Sequence, residues 1–129
     1  MNETVEEFYK QWLIKGQEDW DAVEILIAQE HPPKTAVCFH CQQCIEKLLK
    51  AILVREQIEF PKTHDIGRLI ELVRDSVPDT TEFSKHAKKL SVHGVDVRYP
   101  DEAIEVSAED MKQIVDITEK FRQVLLKAI

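Results

Sequence analysis

Apolar residues along this chain recur at intervals of three and four between polar positions, and proline or short polar stretches break the pattern into segments. From Thr4 to about Glu30 the positions Phe8, Trp12, Val23, Leu26 and Ile27 keep helical spacing, with Gly16 as an interruption and a candidate kink. His31, Pro32 and Pro33 end this helix, because proline removes a backbone donor and restricts the residue before it. A second helix is predicted from near Lys34 to about Gln57. The segment FPKTH then turns the chain. Thr63 is the predicted N-cap of a short third helix whose inner face is Ile66, Leu69, Ile70 and Val73. After Pro78, Asp79 with Glu82 reads as a capping box for a fourth helix through Phe83, Ala87 and Leu90, with Gly94 as its stop. The run GVDVRYPDEAIE is one long connection in which Val95, Val97 and Tyr99 alternate like a short extended segment. Ser107 with Asp110 caps a last helix striped by Met111, Ile114, Val115, Thr118, Phe121 and Leu125.

Composition agrees with this reading. Hydrophobic residues are 43% and charged residues 32%, with 3 Gly and 5 Pro, which suits an all-α protein. A length of 129 residues supports one core, so residues 1–129 are read as a single helical domain. The expected architecture is an up-and-down four-helix bundle with an additional short helix. A net charge of -7 excludes a protein that coats nucleic acid with its whole surface, so any anion site must be local. The opening MNETVEEFYK has no basic or apolar leader character, and no apolar run is long enough to cross a bilayer, so a cytoplasmic location and no membrane partner are expected.

The stretch AVCFHCQQCIEKLLKAILV concentrates unusual chemistry in the second helix. Val37, Cys41, Cys44, Ile45, Leu48 and Ile52 share one face at 100° per residue, and Cys38 flanks it. A zinc or iron–sulfur site needs four ligands, usually from turns that let thiolates converge, and no second cysteine pair exists elsewhere. The expectation is three reduced, buried cysteines that act as small apolar residues, with no metal and no cofactor. Phe39, His40, Gln43, Glu46, Lys47, Lys50 and Val54 fall on the opposite face, which reads either as solvated or as a partner surface. On the second reading Phe39, His40, Gln43, Lys47 and Val54 are the candidate homodimer interface.

The run FHCQQCIEKLLKAILV, then FPKTHDI, then VRYPDE before a last helix resembles the HEPN domain family. In that family the second helix reads similarly with alanines where Cys41 and Cys44 stand, which agrees with a packing role for these thiols. The resemblance implies a four-helix bundle with an extra short helix, frequent dimerisation, and in many members a minimal nucleotidyltransferase partner within a toxin–antitoxin pair. Ribonuclease members carry an arginine followed after four to six residues by a histidine. Arg98 is the matching arginine here, but no histidine occurs from Tyr99 to Ile129 and His93 precedes it, so no catalytic residue is assigned.

Lys85, Lys88, Lys89 and Arg98, with His86 and His93 close by, are opposed only by Asp96 between residues 85 and 98. This basic island reads either as a lysine-rich helix end favoured by the helix dipole or as a phosphate site. The candidate ligand-binding residues are Arg98, Tyr99, Lys85, Lys88, Lys89 and His93. Tyr99 could stack on a base or fill the bundle end. The leading expectation is a non-catalytic dimeric module for a nucleotide, an RNA phosphate or a nucleotidyltransferase partner. The alternatives are a metal-independent ribonuclease toxin with a departed motif, and a dimer serving protein interaction alone. His64 and Asp65 at the start of the third helix are read as structural.

Overall fold

The computed structural model describes residues 4–94 and 105–129, and the chain is all-helical, with no strand among the described residues. In chain order the elements are α1 (Val5–Ile27), α2 (Lys34–Arg55), α3 (Ile66–Val73), a 3₁₀ segment (Pro78–Phe83), α4 (Ser84–Ser91) and α5 (Ala108–Ala128). The extended segment expected around Val95 to Tyr99 lies outside the described residues.

Local chemistry starts each long helix. Thr4 and Glu7 close a capping box on α1, and Ser107 and Asp110 close one on α5, each satisfying donors that a helix start leaves unpaired. Helix α1 is continuous through Gly16. A Cβ at Gly16 would stand 3.0 Å from Leu48 Cδ2, so the missing side chain is what lets α1 lie close on α2.

Helix α2 is the centre of the fold. It packs against α1 on one side and α5 on another, with α3 and α4 also touching it. No residue between 36 and 55 is exposed, so of the two readings of the polar face, solvated or partner surface, the fully solvated one does not hold, and five of its seven residues are half-buried. Glu46 and Lys50, placed on that face by helical periodicity, are buried. The periodicity is correct, but covering elements reach round to the polar face as well. Cys38, Cys41 and Cys44 are free thiols at zero exposure among Val37, Ile45 and Leu48. Burial raises Cys38 to about 11 and Cys41 and Cys44 to about 12, so the thiols stay protonated at neutral pH.

Three predicted boundaries move. Thr63 is not the cap of α3; Asp65 accepts from the Arg68 amide at 3.3 Å, and Thr63 Oγ1 instead accepts from the Asp65 amide in the preceding turn. Asp79 and Glu82 form no capping box, because the segment starts as a 3₁₀ turn at Pro78 in which Thr80 and Thr81 hydroxyls donate back to Val77 and Pro78 carbonyls. Gly94 does not end α4 in the left-handed conformation; the helix stops at Ser91, and Gly94 has a negative φ.

Phe83, at the end of the 3₁₀ segment, stacks on Phe121 of α5 with ring centroids 4.4 Å apart and planes at 8°. That contact fixes the start of α4 against α5. Arg122 ties α5 to α1, donating to Gln17 Oε1 at 2.8 Å and lying over the Trp20 ring.

Helix α2 ends with Gln57 at φ 55, its amide on the Val54 carbonyl and the Ile58 amide on the Leu53 carbonyl. A left-handed non-glycine residue costs about 1 kcal/mol, part of which glycine returns through its freer unfolded chain. Gln57→Gly is therefore expected to stabilise the protein by roughly 0.5 kcal/mol and raise the melting temperature by about 2 °C in calorimetry.

Candidate functional site

The polar residues of α2 that point into the protein form one connected group. Lys50 Nζ lies 3.0 Å from Glu46 Oε2, and Gln42 Nε2 donates to Glu46 Oε1 at 3.1 Å. His64 Nδ1 stands 2.8 Å from the same Oε1, and with its proton on Nδ1 the imidazole donates to the carboxylate. Gln42 Nε2 also reaches the His64 carbonyl at 3.1 Å, and Gln43 Nε2 donates to Gln42 Oε1 at 2.7 Å. The Lys50 ammonium sits over the rings of Trp12 and Phe60, whose faces attract a cation that water no longer solvates. The group clamps the loop before α3 onto α2. A Cβ at Gly94 would come within 3.0 Å of the Gln42 amide, so Gly94 is needed where the chain passes this clamp.

A second buried carboxylate repeats the arrangement on the other side of α2. Asp19 of α1 holds His40 Nδ1 at 2.8 Å and Lys47 Nζ at 2.7 Å. Two residues of the expected interface, His40 and Lys47, thus have partners within the chain. Phe39, Gln43 and Val54 are half-buried, with the Phe39 ring edge-on to His40. Asp19 was not singled out by sequence, since between Glu18 and Trp20 nothing marks it as the acidic residue that faces α2.

The basic residues of α4 face outward. Lys85, Lys88 and Lys89 are exposed, and Lys89 donates to the Gln113 side chain of α5. His93 is half-buried just beyond the helix, whereas Arg98 and Tyr99 lie outside the described residues. Lys85 and His86 form one wall of a groove of about 400 Å³, and Lys120 and Lys127 of α5 form the other. Phe83 and Val124 contribute apolar surface to it, Gln123 an amide, and Glu82 the only carboxylate among its described lining residues. Among the described residues no carboxylate pairs with Lys85, Lys120 or Lys127, whereas Lys10, Lys15, Lys47 and Lys50 all have acidic partners. Partial burial first, and then the ammoniums of Lys85, Lys89 and Lys120, push His86 below its ordinary value of 6.5, so the imidazole is predominantly neutral at pH 7. Sequence reading found the α4 wall and missed the α5 wall. The signal for it was the pair Lys120 and Lys127, seven residues apart and hence on one helix face.

The model of the HEPN domain matches residues 9–129. The chain belongs to the HEPN family. No curated protein and no solved structure matches it. The match takes in nearly all of α1 and every later element, so both the polar clamp and the basic groove fall within the HEPN domain. In this HEPN protein the motif residues Gln42, Gln43, Glu46 and His64 bond to one another, Gln42 and Glu46 buried, Gln43 half-buried and His64 at the surface. Among the described residues no group of three or more His, Cys, Asp and Glu side chains could hold a metal ion, and no helix is long and apolar enough to cross a membrane.

Removing Glu46 strands a buried ammonium, which costs about 3–5 kcal/mol. Glu46→Ala is expected to lose that much in urea unfolding, and Glu46→Leu combined with Lys50→Met to recover most of it. For His86, proton NMR titration should place the midpoint below 6.5, with Lys85→Gln and Lys120→Gln each moving it upward. The folded value is the lower one, so the unfolded chain binds the proton first. The His86 contribution to stability is therefore complete above about pH 6.5 and declines as pH falls from there to the folded-state value.

Proposed function

We propose that this HEPN protein is a non-catalytic binding module that takes a nucleotide or RNA phosphate on the basic side of α4 and acts as a homodimer. The observation that carries this reading is the groove beside α4, where Lys85 stands without an acidic partner among the described residues on a chain of net charge -7. An unpaired ammonium beside a neutral imidazole offers a charge and a hydrogen-bond donor or acceptor to a phosphate ester. Lys88 and Lys89 extend the positive surface along α4, and His93, Arg98 and Tyr99 follow it in the chain. Guanidinium suits bidentate capture of phosphate, and a tyrosine ring can stack on a base. The absence of a histidine after Arg98 supports binding rather than cleavage, since a ribonuclease needs a base to take the 2′-hydroxyl proton.

In this reading residues 1–129 act as one cytoplasmic domain, with α1, α2, α4 and α5 as an up-and-down four-helix bundle and α3 as its additional helix. Packing of α2 against both α1 and α5 supports that arrangement. Phe39, Gln43 and Val54 keep part of their surface open, and a second copy seated there, against His40 and Lys47, would complete their burial. A minimal nucleotidyltransferase, as in the toxin–antitoxin pairs of the family, is the protein partner this reading expects.

Equilibrium binding of ATP and of a short RNA tests the function. Arg98→Ala is expected to abolish binding and Lys85→Gln to weaken it roughly tenfold, with the far-ultraviolet circular dichroism unchanged. Light scattering should report twice the 15.0 kDa chain mass. Wild-type cleavage of RNA without added metal, lost in Arg98→Ala and in His93→Ala, would overturn the non-catalytic assignment.

A further inference from the structure

We propose that the groove between α4 and α5 is a track for single-stranded RNA, whose successive phosphates lie on Lys85, Lys120 and Lys127, and that it prefers a strand of several nucleotides to a mononucleotide. The proposal rests on the nucleotide-binding reading above and adds the length and the course of the ligand.

The α5 wall sets the length. Lys120 and Lys127 are seven residues apart on one face, so their Cα atoms are about 10 Å apart along the helix axis. One strand of a stacked duplex carries a charge about every 3.4 Å along its axis and an extended single strand spaces its charges more widely, so this span takes in about two neighbouring phosphates of an extended strand. A mononucleotide presents its charge at one end only. To engage all three lysines it would have to draw like charges together and freeze three long side chains, each at a cost of up to about 2 kcal/mol in lost rotamer freedom. A strand meets them where they stand.

The groove also limits what can enter. Three lysines against Glu82, with His86 neutral, leave two positive charges in excess in its lining. Asp116, one turn before Lys120 on α5, is not part of that lining and bounds the basic stretch. A volume of about 400 Å³ accepts an extended chain rather than a folded partner, which would need about 800 Å² of contact on this side. Phe83 and Val124 give apolar surface for a base or ribose, and Gln123 and His86 can donate to or accept from base edges and 2′-hydroxyls.

The test is fluorescence anisotropy with labelled oligouridylate of about eight nucleotides, competed by shorter oligomers, by ATP and by polyglutamate. The octamer is expected to bind at least roughly tenfold more tightly than ATP. Lys120→Gln with Lys127→Gln, both exposed positions, should cut octamer affinity by roughly tenfold or more, weaken ATP by a clearly smaller factor, and reduce the octamer's salt slope by about 1.4. Equal affinity for ATP and octamer, or octamer binding indifferent to the double substitution, refutes the track while the nucleotide-binding reading stands. Competition by polyglutamate as effective as by RNA refutes it in favour of an acidic protein partner. If neither ATP nor any oligomer binds, both the track and the nucleotide-binding reading fall.

Discussion

The fold depends on how a helix surrounded on every side can carry charge. Once α1, α3, α4 and α5 have covered α2, Glu46 and Lys50 have no water to solvate them, and an isolated charge in that position would cost several kcal/mol. The structure meets the constraint twice in the same manner. Glu46 bridges Lys50 and His64, and Asp19 bridges Lys47 and His40. In each case a buried carboxylate joins one lysine to one more exposed histidine. Because the partners come from different elements, the bonds also fix geometry: Asp19 sets the register of α1 on α2, and His64 sets where the chain enters α3. The apolar contacts would tolerate sliding by a fraction of a turn, but the contacts of Asp19 with Lys47 and His40 at 2.7 and 2.8 Å, and of Glu46 with His64 at 2.8 Å, do not.

Much of the fold was legible because it follows from local rules. The stripes of α3 and α5, the Ser107 capping box and the prolines that separate α1 from α2 are all properties of a few adjacent residues. The cysteines were legible as core residues because their spacing places them on the Ile45 stripe. The errors arose where a neighbour remote in sequence decides the outcome. Glu46 and Lys50 read as solvent-facing because charged residues are rarely buried, and nothing within α2 reveals that Trp12, Phe60 and His64 will cover them. Gly16 read as an interruption of α1 and Gly94 as the stop of α4, whereas one admits Leu48 and the other admits Gln42. A glycine required by close approach and one required by a turn are identical in sequence.

The candidate site divides in the same way. The α4 wall was legible as a local excess of lysine between residues 85 and 89. The α5 wall was not, because Lys120 and Lys127 sit in a helix that also carries Asp116 and Glu119, where alternating charge reads as an ordinary wet surface. Stacking of Phe83 on Phe121 brings the two walls together, and that contact joins segments on either side of the long connection.

A basic groove on an acidic chain directs where a polyanion could approach. At net charge -7 most of the surface repels a polyanion, and the repulsion acts within a Debye length, about 8 Å at physiological salt. The groove gathers three ammoniums with Glu82 as the one carboxylate among its described lining residues, so the field there favours a polyanion more than the rest of the surface does. This division yields orientation more than affinity. Gln42 and Glu46, the buried polar residues of the family motif on α2, contribute nothing to it directly, since they are bonded to Gln43, Lys50 and His64. Their part is to hold α2 as a rigid axis on which α5 packs, and α5 in turn meets α4 across the groove. The charged groups inside the protein and those lining the groove are therefore parts of one arrangement: the first set is neutralised internally so that the helices keep their register, and that register leaves the second set open to a ligand.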